Sequence, residues 1–185
     1  MLSIKKLALA AIMATVISAR PFQQKRDDSY FTLTVINSCS YDQSVGIYKI
    51  NTDYTTTEIM SMTNIPSGTT SNFSAPYYEV GLRLATNQDQ FLAQDLFEFG
   101  YSQYTPAGGS TIEGTAYDIS MFAGTTEGMR ATPANTNCPT KTCTSSSCAK
   151  DQAWTDANDY ELGSPADTTC YYGKTDFTVE FCPQV

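Results

Sequence analysis

Polar and apolar residues alternate along much of this chain, and the alternation predicts strands. Residues 31–37, Phe-Thr-Leu-Thr-Val-Ile-Asn, place Phe31, Leu33 and Val35 on one side and Thr32 and Thr34 on the other. A period of two marks a strand with one buried face. Residues 177–181, Phe-Thr-Val-Glu-Phe, repeat the pattern at the other end of the chain. Between them the same reading predicts strands at 44–50, 55–62, 69–74, 78–85, 91–101 and 115–122. Ile65-Pro66-Ser67-Gly68 and Pro106-Ala107-Gly108-Gly109 supply turns. Thr, Tyr, Phe, Val and Ile dominate the strand-like stretches, and no long helical period appears. The expected fold is all-β, an antiparallel β-sandwich or flattened barrel.

Residues 131–173 break the pattern. They are rich in Thr, Ser, Cys, Pro and Asp and contain no alternating run. A short, disulfide-held, loop-rich excursion is expected there, with one or two helical turns at 149–155. No internal repeat and no interdomain linker is visible.

The first residues read as a targeting segment. Lys5 and Lys6 precede an apolar run at 7–17, and Ser18-Ala19 supplies small residues for cleavage. That run is too short to span a bilayer, which needs about 20 residues. Residues 1–19 are expected to be a signal peptide. Residues 20–26 are expected to be a pro-segment ending at the dibasic Lys25-Arg26, and 27–185 a single domain. The first 26 residues hold five Lys or Arg and no Asp or Glu. Residues 27–185 therefore keep six basic against nineteen acidic residues, a net charge of −13. Such a surface repels phosphates and anionic lipid, which argues against nucleic-acid and membrane partners. Neutral partners such as polysaccharide stay open.

All six cysteines fall after residue 26: Cys39, Cys138, Cys143, Cys148, Cys170 and Cys182. An even count in a secreted chain argues for three disulfides, with fifteen pairings possible. A zinc site at Cys138, Cys143 and Cys148 is the weaker reading, because the spacing is loose and the chain has no histidine. Without histidine there is also no Ser-His-Asp or Cys-His machinery. The acidic string around Trp154 (Asp151, Asp156, Asp159, Glu161) invites a calcium reading, but it lacks the glycine and the alternation of a calcium loop. No metal and no cofactor is expected. Asn72-Phe73-Ser74 is an N-glycosylation acceptor.

Several of these segments, taken in order, resemble the thaumatin and osmotin family. Phe31-x-Leu33-x-Val35-Ile36-Asn37-x-Cys39 is similar to its first strand. Leu96-Phe97-Glu98-Phe99 resembles its L-x-E-F segment, and Tyr117-Asp118-Ile119-Ser120 its Y-D-V-S segment. The cysteines at 138–148 and the closing Phe181-Cys182-Pro183 complete the set. The chain is shorter than the large plant members and looks closer to small fungal ones. The resemblance implies the pairs Cys39–Cys182, Cys138–Cys170 and Cys143–Cys148. It also implies an acidic cleft that binds cell-wall β-1,3-glucan, with Glu98 and Asp118 as cleft acids and Arg83 as the cleft arginine. Asp89 and Asp95 lie nearby in sequence without matching the family's remaining aspartate.

The residues themselves support a carboxylate pair. Glycoside hydrolysis needs one acid held protonated and one ionised. Glu98 and Asp118 are the expected catalytic pair, should the chain be a weak endo-β-1,3-glucanase. Arg83 would favour an ionised partner. Tyr101, Tyr104 and Tyr117 lie near the acids in sequence and are candidates to stack on sugar rings. A secreted surface antigen, adhesin or effector that binds a host protein is the other reading. In each case a monomer outside the cell, or associated with the cell wall, is expected.

Overall fold

The structure, a computed structural model, describes residues 29–87, 95–121, 127–144 and 148–184. The expected signal peptide and pro-segment, Asp89 and Phe122 lie outside the described residues. Two sheets pack face to face. One has the order β4-β1-β11-β8-β9 and the other β10-β7-β6-β5-β2-β3. The strands are β1 Tyr30–Asn37, β2 Gln43–Ile50, β3 Thr56–Ile65, β4 Thr70–Pro76, β5 Leu82–Ala85, β6 Leu96–Tyr104, β7 Ile112–Ser120, β8 Met129–Pro133, β9 Lys141–Cys143, β10 Thr168–Cys170 and β11 Phe177–Phe181. The all-β sandwich is therefore observed. One pair departs from antiparallel order: β1 and β11 run parallel, with Leu33 opposite Phe177 and Asn37 opposite Phe181.

Alternation works as the sequence suggests. Phe31, Leu33 and Val35 of β1, Phe97 and Phe99 of β6, and Phe177, Val179 and Phe181 of β11 all enter the core. Phe97 stacks on Phe99 at 5.3 Å, and Phe177 meets Phe97 edge-on at 4.9 Å. Each such ring contributes about 1.5–3 kcal/mol by leaving water. Asn37, fully buried, ties the corner beside β1. Its Nδ2 donates to the carbonyls of Tyr41 and Ile65, and its Oδ1 accepts from the Cys39 amide.

Some expectations need correction. The strand expected at 78–85 exists only from Leu82. Gly81 sits at φ 71°, a left-handed turn, and Tyr78 and Val80 are exposed rather than alternating. The excursion at 131–173 is less loop-rich than expected, since β8 enters it and β9 and β10 lie within it. In β8 the buried positions are Met129, Ala131 and Pro133, which are weak apolar markers. At 149–155 the backbone makes one hydrogen-bonded turn, Gln152 N–H to Ala149 O at 2.9 Å, and no helix. A short 3-10 helix follows instead at Ala157–Leu162, capped by Asp156. Asp159 is committed to that cap and to Lys150, at 2.7 Å. The acidic string is thus built into the loop's own structure.

Three disulfides close the fold: Cys39–Cys182, Cys138–Cys170 and Cys143–Cys148, the pairs the resemblance implies. The first joins the ends of β1 and β11 across 143 residues of sequence. Closing a loop of that length removes about 5 kcal/mol of unfolded-state entropy on the chain-entropy model. The Cys39→Ser/Cys182→Ser double variant is expected to lose roughly 2–5 kcal/mol in guanidinium unfolding. A midpoint and slope equal to the parent protein would contradict this role.

Candidate functional site

Burying Phe97 and Phe99 sends Glu98, between them, to the outer face of the six-stranded sheet. Its neighbours across the ladder are set by register: Arg83 of β5 lies opposite Glu98, and Glu98 lies opposite Asp118 of β7. The structure thus brings the three predicted charged residues into one row. Directly opposed Cβ atoms lie about 4.5–5.5 Å apart. Arg83 Nε contacts Glu98 Oε1 at 2.6 Å. The contact is an ion pair, and Arg83 Nε makes no hydrogen bond among the described residues.

Beside this row lies an open groove of about 680 Å³. Gly100 and Ala116, directly opposite each other, line its floor. Gly100 is required there, because a Cβ would come within 3.0 Å of the Glu79 carbonyl oxygen and 3.1 Å of the Val80 Cα. That close approach lets the turn before β5 lie across β6, where the Tyr101 amide donates to Glu79 O at 2.8 Å. Val80, 58% exposed, contributes to this side. The excursion supplies Trp154, Ala157, Tyr160 and Asp167. Trp154 is pinned to the end of β7 by two backbone bonds, Trp154 N–H to Ile119 O and Met121 N–H to Trp154 O, both 2.8 Å. Its indole N–H donates to Asp167 Oδ1 at 2.6 Å.

Asp118 is the electrostatic centre of the groove. Its Oδ1 is buried and has no hydrogen-bond partner among the described residues. Burial first, then the charges of Glu98 and Asp167, push its carboxyl up to about 8, while Arg83 and Lys141 oppose the shift. Lys141 is itself buried, with Nζ donating to the Asp151 carbonyl. Burial pulls its ammonium below the usual lysine range, against Asp151, Asp118 and Asp167. Two acids of unequal character therefore face each other. Asp118 is pushed toward its protonated form, and Glu98 is in contact with a guanidinium.

The aromatic expectations fare differently. Tyr101 and Tyr117 share the strand parity of Phe97, Phe99 and Ile119, opposite to that of Glu98 and Asp118. The Tyr117 ring packs on Phe177 at 5.0 Å, is 2% exposed, and donates its hydroxyl to Pro139 O. It is a core residue, and it also lines the groove. Tyr101 packs against Tyr77 and Tyr78 at the sandwich end and donates to Glu113. Tyr104 sits against Tyr171 at the far end of β6. Asp95 is fully buried outside the groove. Tyr101 and Tyr117 nonetheless line the groove, together with two aromatic residues from the excursion, Trp154 and the 61%-exposed Tyr160. Trp154 is the sole tryptophan of the chain, a signal visible in the sequence. Asp167 carried none. Asn72 of the glycosylation motif is exposed on the edge strand β4, its Oδ1 accepting from Thr34 Oγ1 at 2.9 Å.

The molecule is thus a disulfide-closed β-sandwich with an open groove on one outer face. Among the described residues no helix is long and apolar enough to cross a membrane. No protein-family model matches the chain, and no curated protein matches it. Among solved structures, the protein elicitor MoHrip2 from Magnaporthe oryzae aligns over 83% of this chain and 99% of that chain, at 15% identity and a TM-score of 0.49. None of these comparisons shows membership of the thaumatin and osmotin family.

A pH prediction follows from Asp118. Its carboxyl rises from an ordinary 3.8 to about 8 on folding. Between those values the folded chain keeps a proton that the unfolded chain releases, so this group costs stability as pH rises through that window. Asp118→Asn is expected to flatten that slope. At pH 8 it should gain at least about 1 kcal/mol over its effect at pH 4, roughly 2–4 °C in Tm for a chain of this size. An equal change in Tm at both pH values would contradict the assignment.

Proposed function

We propose that this chain is a secreted, small thaumatin-like protein that binds cell-wall polysaccharide in the groove beside Glu98 and Asp118. One observation carries the reading: the Arg83–Glu98–Asp118 row adjoins an open groove with an exposed tyrosine and a half-buried tryptophan. Clefts of about 300–1,000 Å³ are the usual size for ligand sites. Carboxylates accept hydrogen bonds from sugar hydroxyls, and aromatic rings receive the apolar C–H faces of sugars. Three disulfides and the apolar run at 7–17 support an extracellular setting. The ordered resemblance described above selects β-1,3-glucan as the first polymer to test.

The test is retention on insoluble β-1,3-glucan. The parent protein is expected to be retained, and Glu98→Gln to weaken binding about tenfold, equivalent to about 1.4 kcal/mol. Equal elution with and without glucan would count against the proposal.

The inequality of the two acids supports a second reading, a weak endo-β-1,3-glucanase. Asp118 would donate the proton to the leaving oxygen, and Glu98 would act as the carboxylate. Reducing ends should then appear from laminarin at about pH 4–6 and vanish in Asp118→Asn. Activity unchanged in that variant would remove this reading.

A further inference from the structure

We propose that Tyr104 and Tyr171 form a second sugar-stacking platform, in line with the groove, which takes the distal rings of a polysaccharide chain whose first rings lie beside Glu98 and Asp118. The inference rests on the polysaccharide-groove reading and adds a separate contact to it.

Strand parity places the pair. Glu98, Gly100, Ser102 and Tyr104 of β6 alternate with the core residues Phe97 and Phe99, and they lie directly opposite Asp118, Ala116, Gly114 and Ile112 of β7. The register is unbroken, so all of these positions belong to the outer face of one sheet. From the Asp118 row to the Ile112 row is six residues of strand, about 20 Å. The positions between them on this face are Gly100, Ala116, Ser102 and Gly114, all small. No bulky side chain of these two strands separates the groove from Tyr104.

Tyr171 reaches the same face from beyond β10. Thr169 lies opposite Ala116 and lines the groove, and Tyr171 follows two residues later. A Cβ on Gly114 would come 3.0 Å from Tyr171 Cα and Cδ1, and 2.5 Å from the Cys170 carbonyl oxygen. Gly114 thus leaves room for the Tyr171 ring, whose centre lies 5.8 Å from that of Tyr104. The segment is fastened on both sides. Cys138–Cys170 precedes it, and the Gly173 amide donates to Glu113 O at 3.0 Å after it. A ring held in place before the ligand arrives costs less entropy on binding.

The core makes no use of either ring. Tyr104 is 51% exposed, Tyr171 39% and Ile112 43%. Contiguous exposed apolar surface marks an interaction site. Tyrosine suits a sugar, offering a ring to the C–H face and a hydroxyl to the sugar's own hydroxyls. A second copy of the chain fits poorly, because a standard protein interface takes about 20–30 residues a side and this patch has a handful. Anionic lipid is disfavoured by the net −13 of residues 27–185. A polymer lying in the groove and running along β6 meets both rings without changing direction.

The experiment is titration calorimetry of the purified protein with the trimer and the hexamer of β-1,3-linked glucose. The trimer is short enough to lie in the groove alone, and the hexamer is long enough to reach the platform. The hexamer is expected to bind about tenfold more tightly than the trimer. Tyr104→Ala, with Tm unchanged, should remove that gain and leave trimer binding as it was. Tyr104→Phe, which keeps the ring, should retain most of it. Should Tyr104→Ala leave hexamer binding unchanged, or weaken trimer and hexamer equally, the inference fails while the groove stands. Should neither oligomer bind the parent protein, the polysaccharide reading fails and takes the inference with it. Should light scattering show a parent dimer that Tyr104→Ala dissociates, the platform is a self-association surface and the inference is overturned.

Discussion

Phe97 and Phe99 both have to leave water, and that requirement fixes where Glu98 points. In a strand, neighbouring side chains emerge on opposite faces, so two buried rings force the residue between them outward. The ladders to β5 and β7 then decide what Glu98 meets. Arg83 and Asp118 are its partners only in the observed register. A slip of one residue would bury the glutamate and expose both rings. Losing the burial of two aromatic side chains costs on the order of 3–6 kcal/mol, comparable with the net stability of a small domain. The acidic row is therefore held by hydrophobic burial and not by its own charges.

The groove needs a second source of structure. The sheet contributes a shallow, charged surface, and elements folded back over it shape the sides. One is the turn at Gly81, which crosses β6 at Gly100. The other is the excursion, anchored to β7 through Trp154 and stapled to β10 through Cys138–Cys170. Both depend on backbone hydrogen bonds and covalent closure, because these segments contribute few large apolar residues to the core. The cost shows at Asp118, a carboxyl held among other acids and out of water. A local arrangement that opposes stability is expected where a site is being maintained.

Period-two alternation made the core strands β1, β2, β6, β7 and β11 legible, because each presents large apolar residues at every second position. The same parity also carried a warning about Tyr101 and Tyr117. Both sit an even number of residues from Phe97 or Ile119, so they share the core face. Proximity in sequence to Glu98 and Asp118 put them among the expected sugar contacts; both line the groove, while the pleat turns the Tyr117 ring into the core. The short strands β8, β9 and β10 left almost no trace, since Ala131, Pro133, Lys141 and Cys143 do not read as apolar alternation.

The sequence alone determined the fold class, the inward and outward faces of the main strands, and the presence of Arg83, Glu98 and Asp118 as outward-facing charges. These follow from local periodicity, which needs no knowledge of what lies across the ladder. Only the tertiary structure decided that the three charges form one row, that Trp154, Tyr160 and Asp167 join them from a later, separate stretch of the chain, and that the Asp118 carboxyl is pushed toward its protonated form. Those properties depend on register, on burial and on charges brought together from separate strands and loops, and none of them is a function of nearby sequence.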